Sequence, residues 1–329
     1  MPANLPPQYY EEERKLKSAR TPEEKVAILE TLLSIIPKHK GTEKLQADLK
    51  SRLSKARAQA QSRPGGGRRS DDHHVEKEGA GQVALAGFAN VGKSQLLASV
   101  TKATPLVADY PFSTMKPLPG MARFENVWVQ LVDLPPISWE VTDKWVANVL
   151  RNADALCLCL DLSDDPVAQA ELLLEELQNK KIVVLPREGG PTETPVGLFP
   201  KRVLLAGNKL DLPGSDLELQ RLADAFGDRY PVVGVSAKEG VGLQDFVKEC
   251  FQVLHKVRVY TKAPSKKPDL ENPFILPRGT QVIDLAGEIH KDFVSRFRAA
   301  RIYCQDKYDG QRVGKDFVLR DGDIIEFLV

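Results

Sequence analysis

Residues 87–94 read Gly87-Phe88-Ala89-Asn90-Val91-Gly92-Lys93-Ser94, a G-x-x-x-x-G-K-S run set directly after the apolar stretch Val83–Ala86. Glycines in such a run let the backbone curl so that its N–H groups face an anion. A helix starting near Gly92 adds the positive end of its dipole to the same place. The chain must therefore supply a strand, a tight turn and a helix in immediate succession. Lys93 is expected to reach the β- and γ-phosphates of a nucleotide, and the Ser94 hydroxyl to bind Mg²⁺.

The surrounding sequence has the texture such a unit needs. Apolar runs at Val127–Val132, Ala155–Leu162, Ile182–Leu185, Val203–Ala206 and Val232–Val235 alternate with stretches of helical periodicity. That alternation predicts an α/β fold with a doubly wound parallel sheet. Upstream, residues 10–62 are rich in Glu, Lys, Arg, Ala and Leu, with Gly41 as the sole glycine. Val26, Leu29, Leu32, Leu33 and Ile36, then Leu45, Leu49 and Leu53, recur at helical spacing. Thr21-Pro22-Glu23-Glu24 reads as a helix start and Pro37 to Gly41 as a break, so a helical hairpin is expected. Residues 63–79 carry glycine and mixed charge without apolar periodicity, which predicts a flexible linker or loop. After Phe251, strands at Val257–Tyr260, Phe274–Leu276, Ala300–Tyr303 and Ile324–Leu328 around one helix, Val282–His290, predict an α+β domain of about 70 residues. The expected division is 1–79, 80–256 and 257–329.

Across 329 residues the formal net charge is +1. There is no global electrostatic reason to expect nucleic acid or membrane, and any such partner needs a local patch. No apolar run is long enough to span a bilayer. The first residues lack the apolar core of a signal peptide, so the cytoplasm is the expected location. Cys157 and Cys159 have no further Cys or His close by in sequence and read as buried packing, as do Cys250 and Cys304. His73 and His74 beside Asp71 and Asp72 are conceivable metal ligands, but their setting favours a solvated loop.

Three further motifs fall at the ends of predicted strands, where open α/β sheets bind their ligands. Asp133 ends the run Val127–Val132, in the position of a carboxylate that helps to hold Mg²⁺. Asn208-Lys209-Leu210-Asp211 follows Val203–Ala206. A carboxylate at Asp211 can accept from both N1–H and the exocyclic amine of guanine, whereas adenine offers no such donor pair. Ser236-Ala237-Lys238 follows Val232–Val235, where a backbone N–H can meet the guanine carbonyl. Together these residues point to a guanine nucleotide, GTP or GDP with Mg²⁺.

Gly87–Ser94 followed by Tyr110-Pro111-Phe112-Ser113-Thr114 resembles the Obg superfamily of translation-factor-class GTPases. The resemblance implies that Thr114 lies in switch I and ligates Mg²⁺ together with Ser94 and Asp133. Arg258–Lys262, Ile275-Leu276-Pro277-Arg278-Gly279-Thr280, Ile289-His290-Lys291-Asp292-Phe293 and Arg312-Val313-Gly314-Lys315-Asp316 resemble the TGS domain of the developmentally regulated GTP-binding (DRG) proteins. Ile36-Pro37-Lys38-His39-Lys40-Gly41-Thr42-Glu43, with the Leu45/Leu49/Leu53 helix, resembles the hairpin ahead of the DRG G domain. The fold implied is a P-loop GTPase doubly wound sheet with an N-terminal helical hairpin and a C-terminal β-grasp (TGS) domain.

One stretch departs from that pattern. The family begins switch II with Asp-x-Pro-Gly, and the glycine N–H meets the γ-phosphate. Here the run is Asp133-Leu134-Pro135-Pro136-Ile137-Ser138-Trp139-Glu140. Pro136 has no N–H and a fixed φ. Ile137 stands where Ras-type proteins carry a water-orienting glutamine, so unaided hydrolysis is expected to be slow. Some related GTPases use K⁺ held by a P-loop asparagine, and Asn90 is the matching position. Two functions stay open: a slow GTPase acting with the ribosome or RNA, or a guanine-nucleotide-binding scaffold or GDP sensor that has lost switching. A local excess of Lys and Arg over 38–69, with Lys262, Lys266, Lys267, Arg296, Arg298 and Arg301 later, could meet RNA phosphates or be solvated surface. A regulatory protein is a further candidate partner.

Overall fold

The structure is a computed structural model that describes residues 28, 29, 31–33, 35, 49, 53, 73–101, 116–137, 144–189, 195–264, 266–303 and 310–328. The chain separates into two compact units, 1–71 and 72–329. In the first unit the described residues are helical. Leu29, Leu32 and Leu49 are buried together, with Ile28, Leu33, Ile35 and Leu53 packed against them. The remainder of the expected hairpin lies outside the described residues, as do Tyr110–Thr114, Ser138–Glu140 and Cys304.

In the second unit, β1 (Gln82–Ala86), β2 (Leu118–Phe124), β3 (Val127–Asp133), β4 (Ala155–Asp161), β5 (Ile182–Leu185), β6 (Phe199–Asn208) and β7 (Val232–Gly234) form one sheet. The order is β2-β3-β1-β4-β6-β5, and β7 also pairs with β6. All pairs are parallel except β2 with β3, which run antiparallel from Leu118 opposite Asp133 to Phe124 opposite Val127. The six strands read from the sequence pair in parallel as expected, and β2, which the sequence did not reveal, adds an antiparallel edge that makes the sheet mixed. β2 gives no apolar run because Pro119, Gly120 and Arg123 interrupt it, and an edge strand tolerates proline where a central one does not.

The central strands β1 and β4 are buried on both faces, so they read as unbroken apolar runs and not as alternation. Helices cover both sides: α1 (Lys93–Val100), α2 (Lys144–Asn152), α3 (Pro166–Asn179), α4 (Ser215–Phe226) and α5 (Leu243–Val253). Leu96, Leu97, Phe246 and Phe251 fill one layer, with the free thiols Cys157, Cys159 and Cys250 buried among them. Leu150, Leu173, Leu177, Leu222 and Phe226 fill the other. Residues 73–79 are a loop in conformation but are tied to the sheet. Gly79 bridges Val129, the Val75 and Glu76 carbonyls accept from Gln82 and Gln130, and Lys77 pairs with Asp154 at 2.5 Å. His73 stacks on Trp145, with ring centroids 4.3 Å apart. Among the described residues no cluster of His, Cys, Asp or Glu is placed to hold a metal by itself.

A second sheet follows, built from β8 (Lys256–Thr261), β9 (Phe274–Pro277), β10 (Ala299–Tyr303), β11 (Gln311–Val313) and β12 (Asp323–Leu328) in the order β11-β10-β12-β8-β9. β12 and β8 are parallel and the other pairs antiparallel. Helix α6 (Val282–Ile289) lays Val282, Leu285 and Ala286 on Val257, Val259, Ile302 and Ile325. Its start is fixed by reciprocal bonds between Gln281 and Asp284. The short helix α7 (Lys291–Ser295) and the strand β11 had no sequence signal.

The tip of the β2–β3 hairpin is held by the second sheet. Arg258 donates to Asp321 through its backbone N at 2.6 Å, Nε at 3.1 Å and Nη2 at 2.7 Å. Its Nη1 pairs with Glu125 and reaches Asn126 Oδ1 at 3.3 Å. The guanidinium lies 5.0 Å from the Phe124 ring centroid and 5.4 Å from that of Phe251, close enough for cation–π attraction. Asn126 Nδ2 donates to Tyr260 Oη and to the Leu270 carbonyl, both at 2.8 Å. Removing Arg258 strips packing from two aromatic rings and leaves Asp321 with only a backbone donor. Arg258→Ala is expected to lower the unfolding free energy by about 2–3 kcal/mol. Glu125→Ala, at a mostly exposed partner, should change it by no more than about 0.5 kcal/mol. Urea unfolding of the full chain measures both.

Candidate functional site

β1 ends at Ala86, and the chain turns through Gly87–Gly92 into α1. Two of its glycines are required by close approach. A Cβ on Gly87 would come within 2.5 Å of the Cys159 carbonyl, and one on Gly92 within 2.3 Å of Asn208 Nδ2. Gly92 also has φ 88°, in the left-handed region that glycine adopts without strain. Asn90 adopts φ 64° there, as asparagine does more readily than most residues. Helix α1 begins at Lys93 without a side-chain cap, so its first N–H groups remain available to an anion. Phe88, Ala89 and Asn90 are at the partly or fully exposed apex of the turn, while Val91 packs into the core.

Lys93 is buried, and its Nζ donates to the carbonyls of Gly87 at 3.1 Å and Phe88 at 2.8 Å. Burial pushes its pKa below the ordinary lysine value, with the nearby Asp133 charge working the other way. Burial likewise raises the Asp133 carboxyl, partly offset by the Ser94 hydroxyl and by Lys93. Ser94 Oγ donates to Asp133 Oδ2 at 2.5 Å. The other carboxylate oxygen, Oδ1, is buried without a hydrogen-bond partner among the described residues. Each of these groups wants a counter-charge: an anion before the lysine, a cation before the carboxylate.

The other two motifs meet this loop from neighbouring strands. Asn208, at the end of β6, donates from Nδ2 to the Val91 carbonyl at 2.9 Å and accepts at Oδ1 from the Ala237 N–H at 3.0 Å. It therefore ties the phosphate loop to the Ser236–Lys238 loop. Asp211 accepts from Ser236 Oγ at 2.6 Å, and that bond holds its carboxyl below the usual range, ionised and acceptor-only. Ser236 Oγ in turn accepts from the Glu239 N–H at 3.0 Å, while the Lys238 side chain is exposed. Gly87–Ser94, Asp133, Asn208, Lys209, Asp211 and Ser236–Lys238 are thus gathered at one end of the sheet. Thr114 lies outside the described residues.

Sequence reasoning missed two participants. Lys209 has φ 70°, and its Nζ pairs with Asp161 at the end of β4. Asp161 Oδ1 also accepts from Ser163 N at 2.9 Å and Ser163 Oγ at 2.6 Å. Burial works to raise the Asp161 carboxyl, but Lys209 and Ser163 outweigh it and hold it below the ordinary value. The available signal was an apolar run ending in aspartate, the same signature that marked Asp133. The second is Ile137, whose N–H donates to the Gly87 carbonyl at 3.0 Å. With Leu134 and Ile137 both buried, the Asp133–Ile137 segment is pinned against the phosphate loop.

Comparison with known proteins agrees with this geometry. Residues 82–187 match the family of 50S ribosome-binding GTPases, and residues 257–329 match the TGS domain. An uncharacterized GTP-binding protein of Methanocaldococcus jannaschii is 31% identical over 93% of this chain and 93% of its own length. Human developmentally-regulated GTP-binding protein 2 is 28% identical, covering 93% of this chain and 98% of its own. The Schizosaccharomyces pombe YchF GTPase shares the fold with a TM-score of 0.52 at 16% identity, over 78% of this chain and all of its own. A GTP-binding protein from Pyrococcus horikoshii does so with a TM-score of 0.50 at 18% identity, over 75% of this chain and 99% of its own.

The Asn208 bridge can be tested without any ligand. Asn208→Ala removes the partners of a buried carbonyl and a buried N–H at once. It is expected to cost about 2–3 kcal/mol of stability. Loss of hydrogen-exchange protection at the Ala237 amide would locate the effect.

Proposed function

We propose, for a chain that belongs to the developmentally regulated GTP-binding (DRG) family of the Obg superfamily, a slow Mg²⁺-dependent GTPase of the cytoplasm that works with the ribosome or RNA. The observation that carries the nucleotide reading is the Asn208 bridge. It brings the phosphate loop Gly87–Ser94 and the base loop Ser236–Lys238 to one place, beside Asp211. In this reading the N–H groups of Gly87–Ser94 hold the α- and β-phosphates, and Lys93 turns to the β- and γ-phosphates. Asp211 accepts from the guanine edge, and the Ala237 loop meets the guanine carbonyl.

The donor set at the metal position fits Mg²⁺. Ser94 Oγ and Asp133 are hard oxygen ligands side by side, and the orphaned Asp133 Oδ1 is the kind of buried anion that a divalent ion relieves. Thr114 is the third proposed ligand. When bound, Mg²⁺ would neutralise charge on the β- and γ-phosphates. Asn90, exposed at the loop apex, is the candidate ligand for K⁺. Lys266, Lys267, Arg296, Arg298 and Arg301 are each exposed, and in this reading such cations meet RNA phosphates, with a regulatory protein as a further partner. Among the described residues no helix is long and apolar enough to cross a membrane.

Switch II favours a second reading, a guanine-nucleotide-binding scaffold or GDP sensor with impaired switching. Pro136 has no N–H to offer a γ-phosphate. The next donor along, Ile137 N–H, is already committed to the Gly87 carbonyl.

Two measurements separate the possibilities. If Pro136 removes the γ-phosphate contact, Pro136→Gly should raise the preference for GTP over GDP by about tenfold, the worth of one charge-assisted hydrogen bond. Single-turnover hydrolysis, with and without K⁺ and ribosomes, should rise with it. A wild-type chain that already prefers GTP strongly, and gains nothing from glycine, would rule out impaired switching. Asp211→Asn should weaken guanine nucleotides and move specificity toward xanthine nucleotides. Unchanged guanine preference in that variant would remove Asp211 from base recognition.

A further inference from the structure

The contact between Asp161 and Lys209 has no place in the phosphate chemistry or in reading the guanine edge, yet it is built with care. Asp161 is the last residue of β4 and lies in register with Asn208, the last residue of β6. One carboxylate oxygen takes the Lys209 ammonium. The other is fixed by both donors of Ser163. The Asp161 backbone is fixed in turn: its N–H donates to Gln169 Oε1 at 3.0 Å, and Gln169 Nε2 returns to the Asp161 carbonyl at 3.1 Å. Gln169 is itself buried. The anchor is therefore rigid, and the Lys209 side chain is held at both ends, by its backbone and by its tip.

We propose that Asp161 is a positioning residue for base recognition, which tethers Lys209 Nζ so that the lysine stem forms a fixed apolar floor for one face of the guanine ring. The inference rests on the reading of Asn208–Asp211 and Ser236–Lys238 as the guanine site. A free lysine stem carries substantial rotamer entropy, which a ligand packing on it must suppress. Tethering the tip removes most of that freedom before the nucleotide arrives. The ion pair also neutralises the ammonium, so the floor presents methylene groups and no bare charge. The Lys209 side chain remains 32% exposed with its tip paired, so part of its surface is free for a ring to cover. A floor of this kind is indifferent to the hydrogen-bonding edge of the purine, in contrast to Asp211.

The test is a double-mutant cycle on the full chain with GDP and IDP as probes, read as dissociation constants and dissociation rates. Asp161→Asn keeps an acceptor for Ser163 but loses the charge that holds Lys209. Lys209→Met keeps an unbranched apolar stem without the ammonium. Asp161→Asn should weaken GDP and IDP by the same factor, about three- to tenfold, mainly through faster dissociation. Added to Lys209→Met, it should have no further effect. The ligand-free unfolding midpoint should stay with that of the wild type. Equal losses with and without Lys209→Met, or unchanged affinity in Asp161→Asn, would overturn the proposal. A wild-type chain that binds neither GDP nor IDP would instead remove the guanine-site reading on which it rests.

Discussion

Asn208 is buried at the end of β6 and joins two loops that the sequence keeps far apart. Its amide nitrogen holds Val91, 117 residues upstream, and its amide oxygen holds the Ala237 N–H downstream. An amide does this where a carboxylate could not, because one end must donate and the other accept. The same contact sets the demand for glycine at position 92, since the Asn208 nitrogen occupies the space a side chain would need. The Gly87–Ser94 loop, the Ser236–Lys238 loop and the strand between them are thus fixed by one side chain. The parallel strands only have to end at the same level for the site to assemble.

Electrostatics at the phosphate end follow from burial. Lys93 and Asp133 are both taken out of water, and neither is a full partner for the other. Lys93 instead spends its donors on two loop carbonyls, while one Asp133 oxygen has no hydrogen-bond partner among the described residues. A buried polar group left in that state is destabilising unless a ligand completes it. An unsatisfied polar atom therefore sits at Asp133, where a charged ligand would complete it, whereas Asp211 is already bonded to Ser236.

Legibility divided along physical lines. The phosphate loop, Asp133, Asn208–Asp211 and Ser236–Lys238 could be read because their chemistry needs particular residue types at fixed spacing after an apolar strand. β1 and β4 could be read because burial on both faces leaves an uninterrupted apolar run. β2 could not, because an edge strand can carry Pro119 and Gly120 and still pair along its whole length. β11 was lost through shortness. Asp161 carried the same strand-end signature as Asp133, but its partner Lys209 is brought close only by the sheet, and an isoleucine at 137 gives no local sign that its N–H meets Gly87. The grip of Arg258 on Glu125 and Asn126 joins residues more than a hundred apart and leaves no local trace.

That grip has a mechanical side. β2 and β3 pair over seven residues each, a twisted ribbon about 20 Å long. One end carries Asp133 opposite Leu118, and the other is bolted to the TGS sheet through Arg258, Tyr260 and the Leu270 carbonyl. A ribbon clamped at its tip cannot slide along its neighbour β1 as a free hairpin could. Any displacement at the Asp133 end must bend the ribbon or tilt the TGS sheet with it. The TGS domain thus rides on the strand that ends at Asp133, like a pointer fixed to the far end of a stiff lever.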